Sequence, residues 1–146
     1  MTRPQTVLAF DFGLKRIGIA CGDTLTRHAA ARVAAPVHRG VPDWEAIARE
    51  VRALAPAVLV VGAPYNVDGS EGTLLAAARR FAAELERRFA LPVQLVDERF
   101  SSLEASEALK RRRASGARGR IERAAIDSAA AAVILGRWFQ GEGEGA

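Results

Sequence analysis

Two short strand-like runs in this chain each stop on carboxylates, and that pattern limits the folds open to it. Val7–Phe10 runs into Asp11, and Val93-Gln-Leu-Val96 runs into Asp97 and Glu98. A brief, wholly apolar run such as Val7–Phe10 reads as a strand buried on both faces, as in sheets with helices packed on each side. In open α/β sheets the functional crevice lies beyond the carboxyl ends of the strands. Asp11 and Glu98 therefore point into one site if their strands are near each other. After Asp11, Gly13 and the Leu14-Lys15-Arg16 segment turn the chain into a second apolar run, Ile17–Cys21, which predicts a hairpin. Gly18 inside that strand implies close approach by a backbone or a ligand. Asp is also an ordinary turn initiator, so the hairpin alone leaves a purely structural role for Asp11 open.

The remaining chain continues the alternation. Residues 29–37 form a weakly patterned, alanine-rich third strand. Asp43 is placed to cap a helix over Trp44–Leu54, whose Trp44, Ile47, Val51 and Leu54 share a face. Ala57–Val61 is another buried strand, followed by a Gly-, Pro- and Asp-rich loop from Gly62 to Gly72. Thr73–Phe89 is an amphipathic helix with Leu74, Ala78, Phe81, Leu85 and Phe89 along one side, and Pro92 closes the connection to Val93–Val96. Ser101 and Glu104 make a capping box that starts a helix to about Arg112; residues 114–119 are a loop, and Ile121–Phe139 the last helix. This order predicts one α/β domain over residues 1–140 with a mixed sheet between helices, and a disordered tail over 141–146.

Asp127 is the most informative acid. At helical periodicity it shares its stripe with Ala124, Ala131, Ile134 and Trp138, so it lies on the apolar face. A buried, uncompensated carboxylate is costly. Either an arginine pairs with it or it belongs to a site. The small Ala129–Ala132 run lets this helix approach the sheet closely, bringing Asp127 towards Asp11 and Glu98. Three converging carboxylates with no usable Cys or His partners are hard oxygen ligands for Mg²⁺ or Mn²⁺. Two such ions can activate water and stabilise a leaving oxygen in phosphodiester hydrolysis. His28 and His38 read as surface residues and Cys21 as core.

The net charge of +4 is unevenly spread. Within residues 110–123, Lys110, Arg111, Arg112, Arg113, Arg118, Arg120 and Arg123 are opposed by Glu122 alone, so the rest of the chain is slightly acidic. Such a segment is either a solvated face or a polyanion contact. A single cysteine fits a reducing cytosol, and no apolar run is long enough to span a bilayer. Met1–Thr6 has no signal-peptide h-region, so a cytoplasmic, non-membrane protein is expected.

Four blocks, in this order, carry a resemblance over nearly the whole chain: Asp11-Phe-Gly13-Leu-Lys15-Arg16-Ile-Gly18-Ile-Ala20; Val61-Gly62-Ala-Pro64 with Asp68-Gly69-Ser-Glu71-Gly72; Asp97-Glu98-Arg99-Phe-Ser101; and Asp127-Ser-Ala-Ala-Ala. Together they resemble the YqgF/RuvX family, a Holliday-junction-resolvase-like group considered to trim the 5′ end of pre-16S rRNA. The resemblance implies a ribonuclease H-like fold, a five-stranded mixed sheet with its first three strands antiparallel. It also implies that Asp11, Glu98 and Asp127 are catalytic, metal-binding acids. Lys15, Arg16 and Arg99, with the basic residues of 110–123, are then the expected nucleic-acid contacts. Arg123-Ala124 stands where the family usually has Lys-Gly, Ser102 where Thr is common, and Cys21-Gly22 where a small β-branched residue and Ser are usual. None of these departures touches the acids.

Three functions follow as candidates. The first is a metal-dependent nuclease acting on pre-rRNA or on branched DNA, as monomer or homodimer. The second is a non-catalytic RNA-binding module on ribosome-assembly particles. The third is a nucleotide-phosphate binder of the actin and sugar-kinase type, which needs two such lobes where this chain has one.

Overall fold

The computed structural model describes residues 3–63, 72–97 and 128–145. Six strands form one sheet: β1 (Thr6–Asp11), β2 (Arg16–Asp23), β3 (Ala30–His38), β4 (Val41–Pro42), β5 (Val58–Ala63) and β6 (Val93–Asp97). The spatial order is β4-β3-β2-β1-β5-β6. The pairs β1–β2, β2–β3 and β3–β4 are antiparallel, whereas β1–β5 and β5–β6 are parallel. The first three strands are thus the antiparallel meander that the family resemblance implies. The sixth strand is β4, a two-residue edge piece folded back on Val37 and His38 by the turn at Arg39 (φ 51°) and Gly40 (φ 79°). It raises the expected five-stranded count by one.

Strand alternation sends side chains to two separate cores. Leu8, Phe10, Ile17, Ile19, Leu59 and Val61 pack on one face against α1 (Trp44–Leu54) and α2 (Thr73–Phe89). Val7, Ala9, Ala20 and Val60 pack on the other against Ala131, Ile134, Leu135, Trp138 and Phe139 of α3 (Ala129–Gly145). The helix α1 begins where predicted, with the Asp43 carboxylate accepting from Ala46 N–H at 3.1 Å. In α2 the buried stripe is Leu75, Ala78, Phe81, Ala82 and Leu85, while Leu74, placed on that face by the sequence reading, is 36% exposed. The last helix continues to Gly145, past the predicted end at Phe139 and through most of the segment assigned to a tail. The predicted helix over Ser101–Arg112 and the loop over 114–119 lie outside the described residues, as does most of the loop after Gly62.

The register fixes where strand ends meet. Phe10 is level with Val61 and Val61 with Leu95, so Asp11, Gly62 and Val96 come one step later at the same edge of the sheet. With neighbouring strands ~4.8 Å apart, the carboxyl ends of β1 and β6 stand about 10 Å from each other across β5. No helix among the described residues is long and apolar enough to cross a membrane.

Candidate active site

Asp11 closes β1 and pairs across the hairpin with Gly18. It has the parity of Val7 and Ala9, which pack under α3, so its side chain is on the α3 face of the sheet. On the other side, Gly62 follows Val61, the partner of Phe10. Neither neighbouring strand therefore covers Asp11 with a side chain. Two glycines flank the carboxylate: Gly18, read from sequence as a strand position of close approach, and Gly62, read as the start of a loop. Gly13 tightens the turn that follows: a Cβ there would come within 2.5 Å of the Arg16 carbonyl oxygen. A larger residue at Gly13 would push the hairpin end away from Asp11.

Glu98 and Asp127 lie outside the described residues, and so do Arg99, Lys110, Arg111, Arg112, Arg113, Arg118, Arg120 and Arg123. Their immediate neighbours in sequence are described. Asp97, the last residue of β6, pairs with Ala63 at the same sheet edge as Asp11. Its main-chain carbonyl accepts from Arg137 Nη1 of α3 at 3.2 Å. Ser128 stands at the amino end of α3 and is fully buried; its Oγ accepts from Ile19 N–H of β2 at 2.9 Å. Ile19 is level with Phe10, one step from the Asp11–Gly18 pair. The sequence reading singled out neither Ser128 nor Arg137. The signal for Ser128 was present, a small polar residue next to Asp127 at the start of an apolar helix. Lys15 and Arg16 are exposed on the hairpin turn and the first position of β2, at the Asp11 end of the sheet.

Among the described residues no three His, Cys, Asp or Glu side chains are grouped to hold a metal ion, and Asp11 is the one predicted ligand they include. A glycine-flanked carboxylate at a strand end nevertheless suits a hard cation, which needs oxygen donors and space for further ligands. Away from the strand ends, titration shifts have structural causes. The Thr26 and Leu25 amides lower the Asp23 carboxyl in a turn at the far edge of the sheet. Arg87 and then Arg88 hold half-buried Glu84 down at about 2. Burial pushes the Cys21 thiol up, against the pull of Arg32. His28 and His38 are both exposed, as expected.

A cleft of about 420 Å³ opens between the hairpin turn and the helices, lined by Phe12, Leu14, Val41, Trp44, Arg80 and Phe81 among others. Trp44 stacks on Phe81 at 5.5 Å and carries Arg88 4.3 Å above its ring. Asp11, the one predicted acid among the described residues, does not line this cleft, which is largely apolar and borders the α1/α2 core.

Comparison with known proteins agrees with this fold. Residues 5–141 match the model of a family, RuvX, described as Holliday junction resolvase. A protein of Coxiella burnetii (strain Dugway 5J108-111) named "Putative pre-16S rRNA nuclease" is 47% identical over 134 residues, 91% of each chain. Its namesake in Edwardsiella ictaluri is 42% identical over 139 residues, 95% of this chain and 97% of that one. A third so named, from Xanthomonas campestris pv. campestris (strain B100), is 46% identical over 94% of this chain and 89% of its own. Among solved structures, T. thermophilus RuvC in complex with Holliday junction substrate superposes with a TM-score of 0.57 at 15% identity, covering 97% of this chain and 98% of that one. That likeness establishes the ribonuclease H-like fold and nothing finer.

Proposed function

The chain belongs to the RuvX family, and from that premise we propose that it is a divalent-metal-dependent nuclease that matures the 5′ end of pre-16S rRNA. The observation that carries this reading is the convergence of β1 and β6 at one sheet edge, with Asp11 on the α3 face between two glycines. Glu98 has the parity of Gln94 and Val96, the β6 residues that meet α3: Gln94 Oε1 accepts from Trp138 Nε1 at 2.7 Å, and Val96 packs on the same core. Asp97 has the opposite parity. On that alternation we assign Glu98, rather than Asp97, to the site with Asp11. Asp127 precedes the buried Ser128 at the amino end of α3, and completes the set.

The residues fit the metal. Asp11, Glu98 and Asp127 would hold Mg²⁺ or Mn²⁺, which when bound supplies Lewis acidity at the scissile phosphate. The rest of the work falls to the chain itself. Asp11 at the end of β1, with Glu98 as the residue that follows β6 in sequence, would fix the position at which a phosphodiester can be attacked. Lys15, Arg16 and Arg99 hold the flanking phosphates, and the 110–123 segment binds backbone farther along. Phosphate contacts carry no sequence information, so selectivity comes from the shape of the substrate. RNA is preferred over branched DNA because the relatives at 42–47% identity are named rRNA nucleases, whereas the resolvase likeness rests on 15% identity. The protein works in the cytoplasm, on ribosomal precursor particles.

The test is 5′-end mapping of 16S precursors in cells depleted of the protein. Unprocessed 5′ ends should accumulate, wild type should restore the mature end, and Asp11→Asn should not. Mature ends at normal levels after depletion would refute the assignment.

A further inference from the structure

We propose that Ser128 is a positioning residue for the acid site, tying the amino end of α3 to the strand that pairs with Asp11. The inference rests on the nuclease reading and adds a residue to it. A serine at a helix start ordinarily turns its hydroxyl onto the first-turn amides of its own helix. Here the Ser128 carbonyl does accept from Ala132 N–H at 3.1 Å, as the residue just before a helix should. The hydroxyl, by contrast, reaches across the molecule to Ile19 N–H, at a sequence separation of 109 residues.

The strand is prepared for this contact. Between β2 and β3 the register shifts from Ile17↔Ala35 to Ile19↔Arg32, so two β3 residues, Val33 and Ala34, stand opposite Gly18. A bulge of this kind disrupts the ladder locally and recurs next to active sites. The Ile19 N–H at the shift donates to Ser128 Oγ. The same Gly18 is the cross-strand partner of Asp11. A fully buried hydrogen bond therefore locks the start of α3 to within one residue of the level of Asp11. Farther along the helix, Arg137 Nη1 holds the carbonyl of Asp97, the residue before Glu98. The helix is thus pinned beside both strand ends that bear the acids. A purely stabilising serine would have served equally well as a cap.

The experiment compares wild type with Ser128→Ala, Ser128→Cys and Ser128→Thr. Cys keeps the size but is a weak acceptor, and Thr keeps the hydroxyl. Each protein is assayed for RNA cleavage across a Mg²⁺ titration well below its melting temperature, and for the Mg²⁺-induced rise in Tm. Exchange of the Ile19 amide is measured in parallel. The expected result is a rise of about 10-fold or more in the Mg²⁺ concentration for half-maximal cleavage in Ala and Cys, with Thr closer to wild type. Ala and Cys should also lose most of the Mg²⁺-induced Tm rise and exchange Ile19 faster. A lowered Tm with unchanged Mg²⁺ half-saturation and an unchanged Mg²⁺-induced rise would make Ser128 structural only and overturn the proposal. An inactive wild type would refute the nuclease reading, and the Tm rise would then decide the proposal by itself: present in wild type and lost in Ser128→Ala supports it, and any other pattern overturns it.

Discussion

Gly22→Ala tests whether α3 sits on β2 as described, and the structure gives its size. A Cβ built on Gly22 would lie 2.5 Å from the His28 carbonyl oxygen and 2.9 and 3.1 Å from Cε2 and Cζ of Phe139. The Phe139 ring, 2% exposed, can yield by a few tenths of an ångström only by disturbing Trp138, whose ring it meets at 5.5 Å. The His28 oxygen is main chain and must move with its loop. Overpacking against one yielding and one rigid neighbour should reach the upper part of the usual range, about 2–3 kcal/mol. For a chain of this size that corresponds to a fall of roughly 4–12 °C in Tm. Thermal unfolding followed by circular dichroism is the assay. The double variant Gly22→Ala/Phe139→Leu should fall short of the sum of its singles by about 1 kcal/mol, because the smaller side chain makes room for the new methyl. A Gly22→Ala protein that melts within ~2 °C of wild type would show that α3 does not press on β2 at this point.

Four shorter tests address other elements. Ala55 (φ 45°) and Ala90 (φ 54°) end α1 and α2 in the left-handed region, which strains a side chain. Replacing either by Gly should stabilise the protein by ~0.5 kcal/mol after the added unfolded-state entropy is subtracted, measured by urea titration. Glu84, held at about 2 by Arg87 and Arg88, keeps its small contribution above the unfolded carboxyl pKa and loses it as pH falls through about 2; NMR titration should show its carboxyl still ionised at pH 3. In EDTA, Asp127→Asn should be more stable than wild type by ~1–2 kcal/mol, since it removes like-charge repulsion and desolvation, and Mg²⁺ should raise the Tm of wild type alone. A loss of ~3–5 kcal/mol would instead mark Asp127 as the partner of a buried arginine. Replacing Arg111, Arg112 and Arg113 by Ala should flatten the salt dependence of RNA binding by a slope of about 0.7 per lost phosphate contact, read by fluorescence anisotropy at several salt concentrations.

What was legible in the sequence follows the strength of each local signal. Trp44–Leu54 and Thr73–Phe89 match the helices residue for residue, because Asp43 caps one and Pro92 lies just past the other. That the sheet lies between two helix layers could be inferred because Val7–Phe10 and Val58–Val61 are apolar on both faces. The choice between Leu74 and Leu75 could not, since adjacent leucines both fit a broad helical stripe and only packing under the sheet selects one. β4 was missed because a two-residue pair has no periodicity; it depends on left-handed geometry at Arg39 and Gly40. At the site, strand parity was in the sequence, and it separates Glu98 from Asp97. The register was not. That Gly18 and Gly62 flank Asp11, and that Ser128 meets a bulge between residues 17 and 19, depends on pairings made far apart along the chain.

The most direct test of the central claim is cleavage by the purified protein of an RNA carrying the 5′ flank of 16S rRNA, in Mg²⁺ and in EDTA. Wild type should cut in Mg²⁺ and not in EDTA. Asp11→Asn, Glu98→Gln and Asp127→Asn should each fall to the EDTA level while remaining folded by circular dichroism. Cleavage at the wild-type rate by any one of the three variants, or by wild type in EDTA, would contradict the three-acid metal site.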